Sequence, residues 1–401
     1  MPWIIATTLT VFVPLALVYF YISRRVITSV LTIKNWNRRR VRQVVRGLIL
    51  YINLYPLLFL VTFLIGGRTR IPAFSGESFV VDLLFSYPFW FGLVIAVQLL
   101  LVVLVLDGVR LVFRISAPAH RDRWKRFHSY GVLLAIGVLT VYSVFIIVKD
   151  TWTVRINERN LQANEKASSL AGTKIVIVSD VQGDGRTDSK ILEEYVERIN
   201  QQDADLVLFA GDLVTSGEGY IESTAQILGS VRSRFGKYAA VGDHDMFSNK
   251  DYVIREMRQA GFVIADDTTI VVPVNGTSVA ITLVTRTYLQ TPQNERLEEI
   301  TADTSSEFRI FLVHQPATNL VDFASERGYD LFAAGHTHGG GIAFGIPGLY
   351  TFAPANLESK YVSGFFEVGR MLVIVTNGIG MTLAPIRFHA PSEITVVTLT
   401  R

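Results

Sequence analysis

Cysteine is absent from this 401-residue sequence. Its absence excludes disulfide bonds, thiolate zinc sites and cysteine nucleophiles. A large excess of one charge is also absent, because 38 Lys and Arg residues nearly balance 35 Asp and Glu residues, for a net charge of +3. The basic residues crowd between long apolar runs, which is a pattern of membrane topology rather than of nucleic-acid binding. We therefore expect membrane lipids, and no nucleic acid, among the partners.

Acidic residues are lacking from four long apolar runs in the first 148 residues, which argues against a proton or ion path through them. A transmembrane helix needs roughly 20 apolar residues. The runs that reach this length are residues 3–22, 47–66, 83–106 and 131–148. The first run is followed by Arg24 and Arg25 rather than by a small-residue cleavage site, so we interpret it as a retained anchor and not as a signal peptide. Residues 1–148 are predicted to form a four-helix transmembrane domain.

Two of the three loops between these runs are strongly basic. Residues 23–46 hold eight Lys and Arg and no acid, and residues 107–130 hold six Lys and Arg against two Asp. Because basic loops stay in the cytoplasm, both are predicted to be cytoplasmic, and everything after residue 148 to lie outside a bacterial cytoplasmic membrane. The cluster Arg38–Arg40 is interpreted as a topology determinant that also touches anionic lipid head groups. A binding site for a substrate phosphate is the alternative.

From residue 149 to residue 401, apolar β-branched runs alternate with helical segments, which favours sheets covered by helices. Helices are predicted at about 189–201, 249–260 and 317–327. The runs on either side of Asn275-Gly276 predict a β-hairpin. We prefer this interpretation to the glycosylation sequon that Asn275-Gly276-Thr277 also fits. The sequence predicts an α/β domain in which two β-sheets are sandwiched between helices.

Metal-ligand side chains follow the buried strands of this domain. They are Asp180, Asp212, the run Asp243-His244-Asp245, His314, and the pair His336 and His338. Open α/β sheets place their sites beyond the carboxyl ends of strands, so these side chains are expected to converge. Carboxylates and imidazoles without sulfur suit Mn²⁺, Zn²⁺ or Fe²⁺ better than Ca²⁺. The set is large enough for two ions that share a carboxylate, an arrangement used for displacement at phosphorus.

The order of these motifs resembles that of the calcineurin-like metallophosphoesterases, in particular their bacterial membrane-associated branch. That branch includes enzymes of the UDP-2,3-diacylglucosamine pyrophosphatase type. The matching segments are residues 175–180, 211–212, 242–245, 335–340, 378–380, 385–388 and 391–394. The resemblance covers about residues 150–401. It implies a metallophosphoesterase fold of two sheets between helices, two divalent metal ions and hydrolysis of a phosphate ester.

By this resemblance, the two ions share Asp212 as a bridging ligand. The first ion is assigned Asp180, Gln182, Asp212 and His338, and the second is assigned Asp212, Asp243, His314 and His336. The resemblance further implies that a metal-bridging hydroxide attacks phosphorus. It also implies that His244, oriented by Asp245, steadies the phosphoryl oxygens or protonates the leaving group. A dication makes such a nucleophile accessible, because it lowers the pKa of bound water from about 15.7 to near 7.

Two positions depart from the family pattern. Gln182 stands where the family has His, and Asp243 stands where it has Asn. We interpret the pair as a shift of metal preference toward harder ions such as Mn²⁺ or Mg²⁺; a weakened first site is the alternative. Asp184 is an alternative ligand for the first ion, but we expect it to be a solvated loop residue. Arg186 is interpreted either as a contact for substrate phosphate or as a surface charge.

The function predicted from the sequence is that of a multi-pass membrane phosphoesterase with Mn²⁺ as the first expectation and Zn²⁺, Fe²⁺ or Mg²⁺ as alternatives. The substrate is expected to be a phosphomonoester or phosphodiester at the membrane surface, most simply a lipid-linked one, because the spans hold the site near head groups. The alternative function is a catalytically silent metal-binding sensor or scaffold, which Gln182 and Asp243 would explain. A transporter is disfavoured by the lack of polar residues in the spans.

Overall fold

The computed structural model describes residues 3–58, 61, 79–302, 305–346, 350–381 and 384–401. The chain divides into two compact units, of which the first ends at Ile146 and the second runs from Ile147 to Arg401. The described residues of the first unit are mainly helical, whereas the second unit contains β-sheets and helices.

The N-terminal helices are α1 (Trp3–Ile33), α2 (Arg38–Ile52), α3 (Tyr87–Ser116) and α4 (Arg121–Trp152). Three of these four helices are long and apolar, and α2 is short and basic. Among the described residues, three helical stretches are long and apolar enough to cross a membrane: Val13–Ile33, Phe79–Ser116 and Pro118–Trp152. Leu15 and Ile22 of α1 pack in one apolar cluster with Leu99 of α3 and Val132 of α4.

The predicted number of four spans is not reached among the described residues, which contain three. The predicted second span, residues 47–66, overlaps α2 only as far as Ile52, and its residues 59, 60 and 62–66 lie outside the described residues. The side chain of Asn37 caps α2 by accepting two backbone N–H groups of the first turn. The 15 residues of α2 include the basic cluster, so this helix is too short and too charged to cross a bilayer.

The second unit contains the strands and helices predicted for an α/β domain. The strands are β1 (Arg155–Gln162), β2 (Lys174–Val178), β3 (Leu206–Phe209), β4 (Lys237–Ala239), β5 (Phe262–Ile264), β6 (Thr268–Val274), β7 (Thr277–Val284), β8 (Phe308–Val313), β9 (Leu331–Ala334), β10 (Phe344–Ile346), β11 (Tyr350–Phe352), β12 (Gly364–Val368), β13 (Met371–Val375) and β14 (Glu393–Thr400). The helices are α5 (Ser189–Asn200), α6 (Ile221–Gly229), α7 (Asp243–Ser248), α8 (Lys250–Gln259), α9 (Asn294–Ile300) and α10 (Thr318–Glu326).

The described strands form two six-stranded sheets, ordered β1-β14-β2-β3-β4-β5 and β12-β13-β9-β8-β7-β6. The run β2 to β5 pairs in parallel, and so does the run β7-β8-β9-β13. Strands β10 and β11 form a separate hairpin. Parallel strands need crossover connections, which the intervening helices provide.

Apolar side chains on both faces of each sheet hold the layers together. Between the sheets, Ile177 and Leu208 belong to one cluster with Leu312. Helices cover the outer faces: Leu228 of α6 packs in the first sheet's outer cluster, and Leu320 of α10 packs in that of the second. Each such buried side chain contributes about 1.5–3 kcal/mol relative to exposure. The predicted arrangement of two sheets between helices is confirmed.

The hairpin predicted at Asn275-Gly276 is also confirmed. Strands β6 and β7 pair antiparallel on either side of these two residues. Asn275 has a φ of 48° and Gly276 a φ of 83°, as a type I′ turn requires. The Asn275 side-chain amide donates a hydrogen bond to Thr173 Oγ1 at 3.1 Å, so this side chain has a structural role.

Candidate metal centre

The predicted ligands lie where strands of both sheets end. In the first sheet, Asp180 and Gln182 follow β2, Asp212 follows β3 and Asp243 follows β4; in the second, His314 follows β8, and His336 and His338 follow β9. His314 Nε2 of the second sheet lies 3.3 Å from Asp212 Oδ2 of the first. The two sheets therefore present these strand ends at one common edge.

The backbone at this edge is strained. Five predicted ligands have a positive φ: 50° at Asp180, 54° at Gln182, 63° at Asp212, 73° at His336 and 50° at His338. Residues other than glycine rarely adopt this conformation, which costs about 1–3 kcal/mol each. Backbone strain that is concentrated at the ends of three strands indicates a functional site rather than an accident of side-chain packing.

Two glycines allow the ligands to approach one another. A Cβ atom on Gly242 would overlap Asp212 Oδ1, and one on Gly335 would overlap Ser179 Oγ. Any side chain at either position would therefore push a strand end away from the centre. The Gly-Asp-His and Gly-His-Thr-His motifs therefore need glycine at these positions, because no larger residue fits there.

Six of the predicted ligands form two groups. The groups are Asp180, Asp212 and His338, and Asp243, His314 and His336, and the ligand atoms within each lie within 4.8 Å of one another. His314 Nε2 is 3.3 Å from Asp212 Oδ2 and also 3.3 Å from Asp243 Oδ2. The two groups are thus adjacent, with Asp212 at the junction where a bridging carboxylate is expected.

The unsatisfied atoms of this centre fit metal ions. Among the described residues, Asp180 Oδ1, Gln182 Oε1 and His314 Nε2 are buried without a hydrogen-bond partner. An unsatisfied buried polar atom costs about 1–3 kcal/mol, which a bound cation would remove. His314 Nδ1 lies 2.7 Å from the Ala210 carbonyl oxygen, so Nδ1–H donates there and the Nε2 lone pair is left for a metal. The residues present therefore fit two divalent ions.

Gln182 holds the bridging carboxylate as well as offering a ligand atom. Its Nε2 donates a hydrogen bond to Asp212 Oδ2 at 2.9 Å. This bond orients the amide so that Oε1 is the atom left unsatisfied. An amide oxygen is a hard ligand, which is consistent with a preference for harder ions.

The extra negative charge of Asp243 is paired within the protein. Gln315 Nε2 lies 3.0 and 2.9 Å from the two carboxylate oxygens, and the Tyr288 backbone N–H donates to Oδ1 at 2.6 Å. Burial opposes ionisation, but the neighbouring His314 and His336 hold the pKa of Asp243 well below its usual range. Asp243 is thus fixed as a carboxylate.

The structure assigns Asp245 a different contact from the one expected. Its carboxylate accepts backbone N–H groups from Asp212, Leu213 and Gly242 at 2.8–3.0 Å. Burial, with the nearby Asp212 charge, raises the pKa of Asp245 to about 6. The Nδ1 atom of His244 instead lies at the Thr215 carbonyl oxygen. Thr215 therefore orients the His244 ring, and Asp245 shapes the turn that carries Asp212.

The expectation that Asp184 is a solvated loop residue is wrong. Asp184 is buried, and its Oδ1 accepts the backbone N–H groups of Arg186 and Thr187 at 2.7 and 2.9 Å. Its Oδ2 accepts the Thr215 hydroxyl at 2.8 Å. Both oxygens are therefore engaged in fixing the loop, and neither is left as a substitute ligand.

Sequence reasoning missed two residues at the mouth of the centre. Glu358 Oε2 lies 3.3 Å from His336 Nε2 and accepts the Tyr288 hydroxyl at 2.8 Å. The Tyr288 ring meets the His336 ring edge to face at 5.5 Å. Neither residue belongs to a motif, and only the fold brings them to His336. Together they orient the imidazole with its Nδ1 toward Asp243, 2.9 Å away.

Replacing Glu358 by Gln is expected to weaken metal binding at the second group by about 10–100-fold, as loss of a carboxylate that orients a ligand histidine usually does. Isothermal titration of the metal-free protein with Mn²⁺ measures this. Glu367→Gln is the matched control. Exposed Glu367 lies on the edge strand β12, where it pairs with Arg159, and this variant should bind Mn²⁺ as the wild type does. Equal affinity in both variants would show that Glu358 does not support His336.

The fold and its paired ligand groups define a metal-dependent hydrolase. The profile of the family "Calcineurin-like phosphoesterase" matches residues 173–340. Residues 173–340 therefore form a calcineurin-like phosphoesterase domain, and this domain supports a metal-dependent phosphoesterase activity.

Similar proteins carry related names. The chain is 28% identical over 272 residues to "Uncharacterized metallophosphoesterase YkuE" of Bacillus subtilis, covering 66% of this chain and 93% of that protein. It is 22% identical over 297 residues to "Uncharacterized metallophosphoesterase Cj0846" of Campylobacter jejuni, covering 69% and 73%. It is 25% identical over 295 residues to "Transmembrane protein with metallophosphoesterase domain" of Danio rerio, covering 67% of this chain and 62% of that protein.

Proposed function

We propose that this protein is a membrane-anchored phosphoesterase that hydrolyses a phosphomonoester or phosphodiester with two divalent ions. The observation that carries the proposal is the junction of the two ligand groups, where His314 Nε2 lies 3.3 Å from both Asp212 and Asp243. Two divalent ions, when bound, neutralise phosphoryl charge and supply a water of lowered pKa. The protein's own side chains bind the substrate and transfer protons.

His244 is the side chain proposed to act on the substrate. Its backbone N–H donates to Asp212 Oδ1 at 2.9 Å, which places the residue beside the bridging carboxylate. With Nδ1–H donated to the Thr215 carbonyl oxygen, the ring's Nε2 is the atom that we propose acts on a phosphoryl oxygen. A proton at Nε2 would stabilise that oxygen or pass to the leaving group.

Mn²⁺ is the ion we propose for both positions. Three carboxylates and the Gln182 amide oxygen supply hard ligands, and three histidines supply borderline ones. Mn²⁺ accepts both kinds, whereas Zn²⁺ favours nitrogen and sulfur. Arg186, on the loop that Asp184 fixes, remains a proposed contact for substrate phosphate.

The proposed substrate is lipid-linked. Three large apolar side chains next to residues of the centre are exposed: Phe247, Leu289 and Leu357. Phe247 lies edge to face with the His244 ring at 6.2 Å, Leu289 follows Tyr288, and Leu357 precedes Glu358. Apolar groups beside a phosphate-binding centre suit an amphiphilic ester, and the candidate spans in the same chain would keep the centre near lipid.

We further propose that the catalytic domain lies on the extracytoplasmic face of a bacterial cytoplasmic membrane. With only three spans, the basic residues at 34–46 and at 110–126 would lie on opposite sides, against the tendency of basic loops to remain inside. If the apolar run of the sequence at residues 47–66 is taken as a fourth span, both basic segments lie on the cytoplasmic side. Reporter fusions after Val148 test this. We expect a fused alkaline phosphatase, which is active only outside the cytoplasm, to be active. Fluorescence from a fused reporter that fluoresces only in the cytoplasm would reverse the assignment.

Hydrolysis of aryl phosphomonoesters and phosphodiesters by the detergent-purified protein tests the activity. Titration with Mn²⁺, Zn²⁺ and Mg²⁺ should give turnover that is highest with Mn²⁺. A lipid phosphate ester should be turned over with a lower KM than the aryl esters. Protein that binds metal in both groups and turns over none of these esters would favour the silent sensor or scaffold that Gln182 and Asp243 suggested.

A further inference from the structure

The turn between α3 and α4 encloses a cavity lined by cations. The cavity measures about 310 Å³, and its lining residues are Arg110, Arg114, Arg121, Asp122, Trp124 and Lys125. Four of the six carry a positive charge and one carries a negative charge. All belong to the first unit, so this cavity is separate from the metal centre of the second unit.

The positive charges around the cavity outnumber its single carboxylate, Asp122. Among the described residues, Arg110, Arg114, Arg121 and Lys125 form no ion pair with a carboxylate. The nearby acid Asp107 is already engaged: Arg25 of α1 lies 2.6 Å from its Oδ2, His128 of α4 lies 2.8 Å from its Oδ1, and the Tyr21 hydroxyl donates to it. Like charges gathered around one space repel each other, and an anion bound between them relieves this repulsion.

The cavity lies where two apolar helices end. Phe79–Ser116 and Pro118–Trp152 are both candidate membrane spans, and a single residue separates them. The rings of Phe113 and Trp124 stack at 3.5 Å and 14° across the two helix ends, and Trp is favoured at the membrane–water interface. Exposed apolar side chains adjoin the cations, including Ile115 and Phe127. The site thus offers cations beside surfaces that suit acyl chains.

We propose that this cavity binds the phosphate group of an anionic phospholipid. Guanidinium groups donate paired hydrogen bonds to phosphate oxygens, and four cations against one carboxylate leave a net attraction for an anion. The stacked Phe113–Trp124 pair fixes the spacing between the cations of the two helices. The adjoining apolar side chains select a phosphate attached to acyl chains over free inorganic phosphate.

Lipid retention by the full-length protein tests the proposal. The protein is purified in detergent, incubated with phosphatidylglycerol or phosphatidylcholine, and examined by native mass spectrometry. Phosphatidylglycerol should be retained in preference to phosphatidylcholine, and raising the salt concentration should weaken its retention. The double variant Arg114→Gln with Arg121→Gln should bind phosphatidylglycerol about 30-fold more weakly, because each interfacial cation contributes about fivefold.

Two further double variants distinguish lipid binding at the cavity from an effect of the protein's net charge. Lys190→Gln with Arg198→Gln removes the same charge from the exposed face of α5 and should leave lipid retention unchanged. Arg114→Lys with Arg121→Lys keeps the charge and should restore part of the binding, because an ammonium group lacks the paired N–H donors of a guanidinium group. Equal retention by the wild type and the Gln variant, or equal competition by inorganic phosphate at the same concentration, would overturn the proposal.

Discussion

Replacing Asp212 by Asn is expected to lower hydrolysis by about a thousandfold or more. Asp212 Oδ1 accepts the His244 N–H at 2.9 Å, and Oδ2 accepts Gln182 Nε2 at 2.9 Å. Burial opposes ionisation, but the adjacent His314 lowers the pKa of Asp212 to about 2, so the residue is a carboxylate at neutral pH. The Asn variant loses this charge and turns an amide N–H toward one of the two donors.

The size of the effect follows from the position of Asp212 at the junction of both ligand groups. A metal contributes several kcal/mol of transition-state stabilisation, and about 4 kcal/mol corresponds to a thousandfold in rate. Turnover of an aryl phosphoester with saturating Mn²⁺ measures it, and elemental analysis should show less than two bound ions per chain.

Asp251→Asn is the matched control for this prediction. Asp251 is exposed in the first turn of α8, so the variant makes the same chemical change away from the centre and should keep wild-type turnover within about twofold. An Asp212→Asn protein that keeps both its metal and its turnover would show that the two groups do not form one catalytic centre.

Replacing Arg387 by Met is expected to destabilise the second unit by about 3 kcal/mol or more. Arg387 is buried, and its guanidinium donates to the carbonyl oxygens of Asn377, Gly380, His338 and Ala390 at 2.5–3.3 Å. Each buried acceptor left without a donor costs about 1–3 kcal/mol. Relief of the buried charge offsets part of that cost. Met replaces the aliphatic part of the side chain but supplies no donor.

Thermal unfolding of the metal-free protein in detergent measures the effect of Arg387→Met. About 3 kcal/mol corresponds to a fall in Tm of about 6–12 °C for a unit of this size. Arg370→Met is the control, because Arg370 is exposed and donates to the Gly328 carbonyl oxygen at the protein surface; this variant should shift Tm by less than about 2 °C. Similar shifts in both variants would show that the buried network of Arg387 adds little stability.

Arg387 also affects the metal centre electrostatically. Burial, supported by the Arg387 charge, lowers the pKa of His338 to about 4. His338 therefore stays neutral at neutral pH, as a metal ligand must. The sequence places Arg387 in a motif of the family but gives no indication of its contact with His338, which lies 49 residues away in the chain.

The local sequence was sufficient to predict the strands, the hairpin and the convergence of the candidate ligands. Strands such as β8 are buried along their whole length, which an unbroken apolar run predicts because both faces meet other layers. Prediction of the hairpin turn needed only Asn275-Gly276, because the positive φ values of these two residues are a local property. The convergence of the candidate ligands was predictable because each of them follows the end of a strand, and the carboxyl ends of parallel strands meet at one edge of the sheet.

Tertiary structure alone decided which groups support those ligands. Glu358 reaches His336, Thr215 faces His244, and Asp245 turns to the backbone, although sequence order suggested an Asp245–His244 pair. In the membrane part, hydropathy predicted four spans, whereas the described residues contain three candidate spans. Hydropathy and strand position depend on neighbouring residues in the chain. Hydrogen-bond partners depend on which loops the packed sheets bring within about 3 Å of each other, and no local pattern encodes that distance.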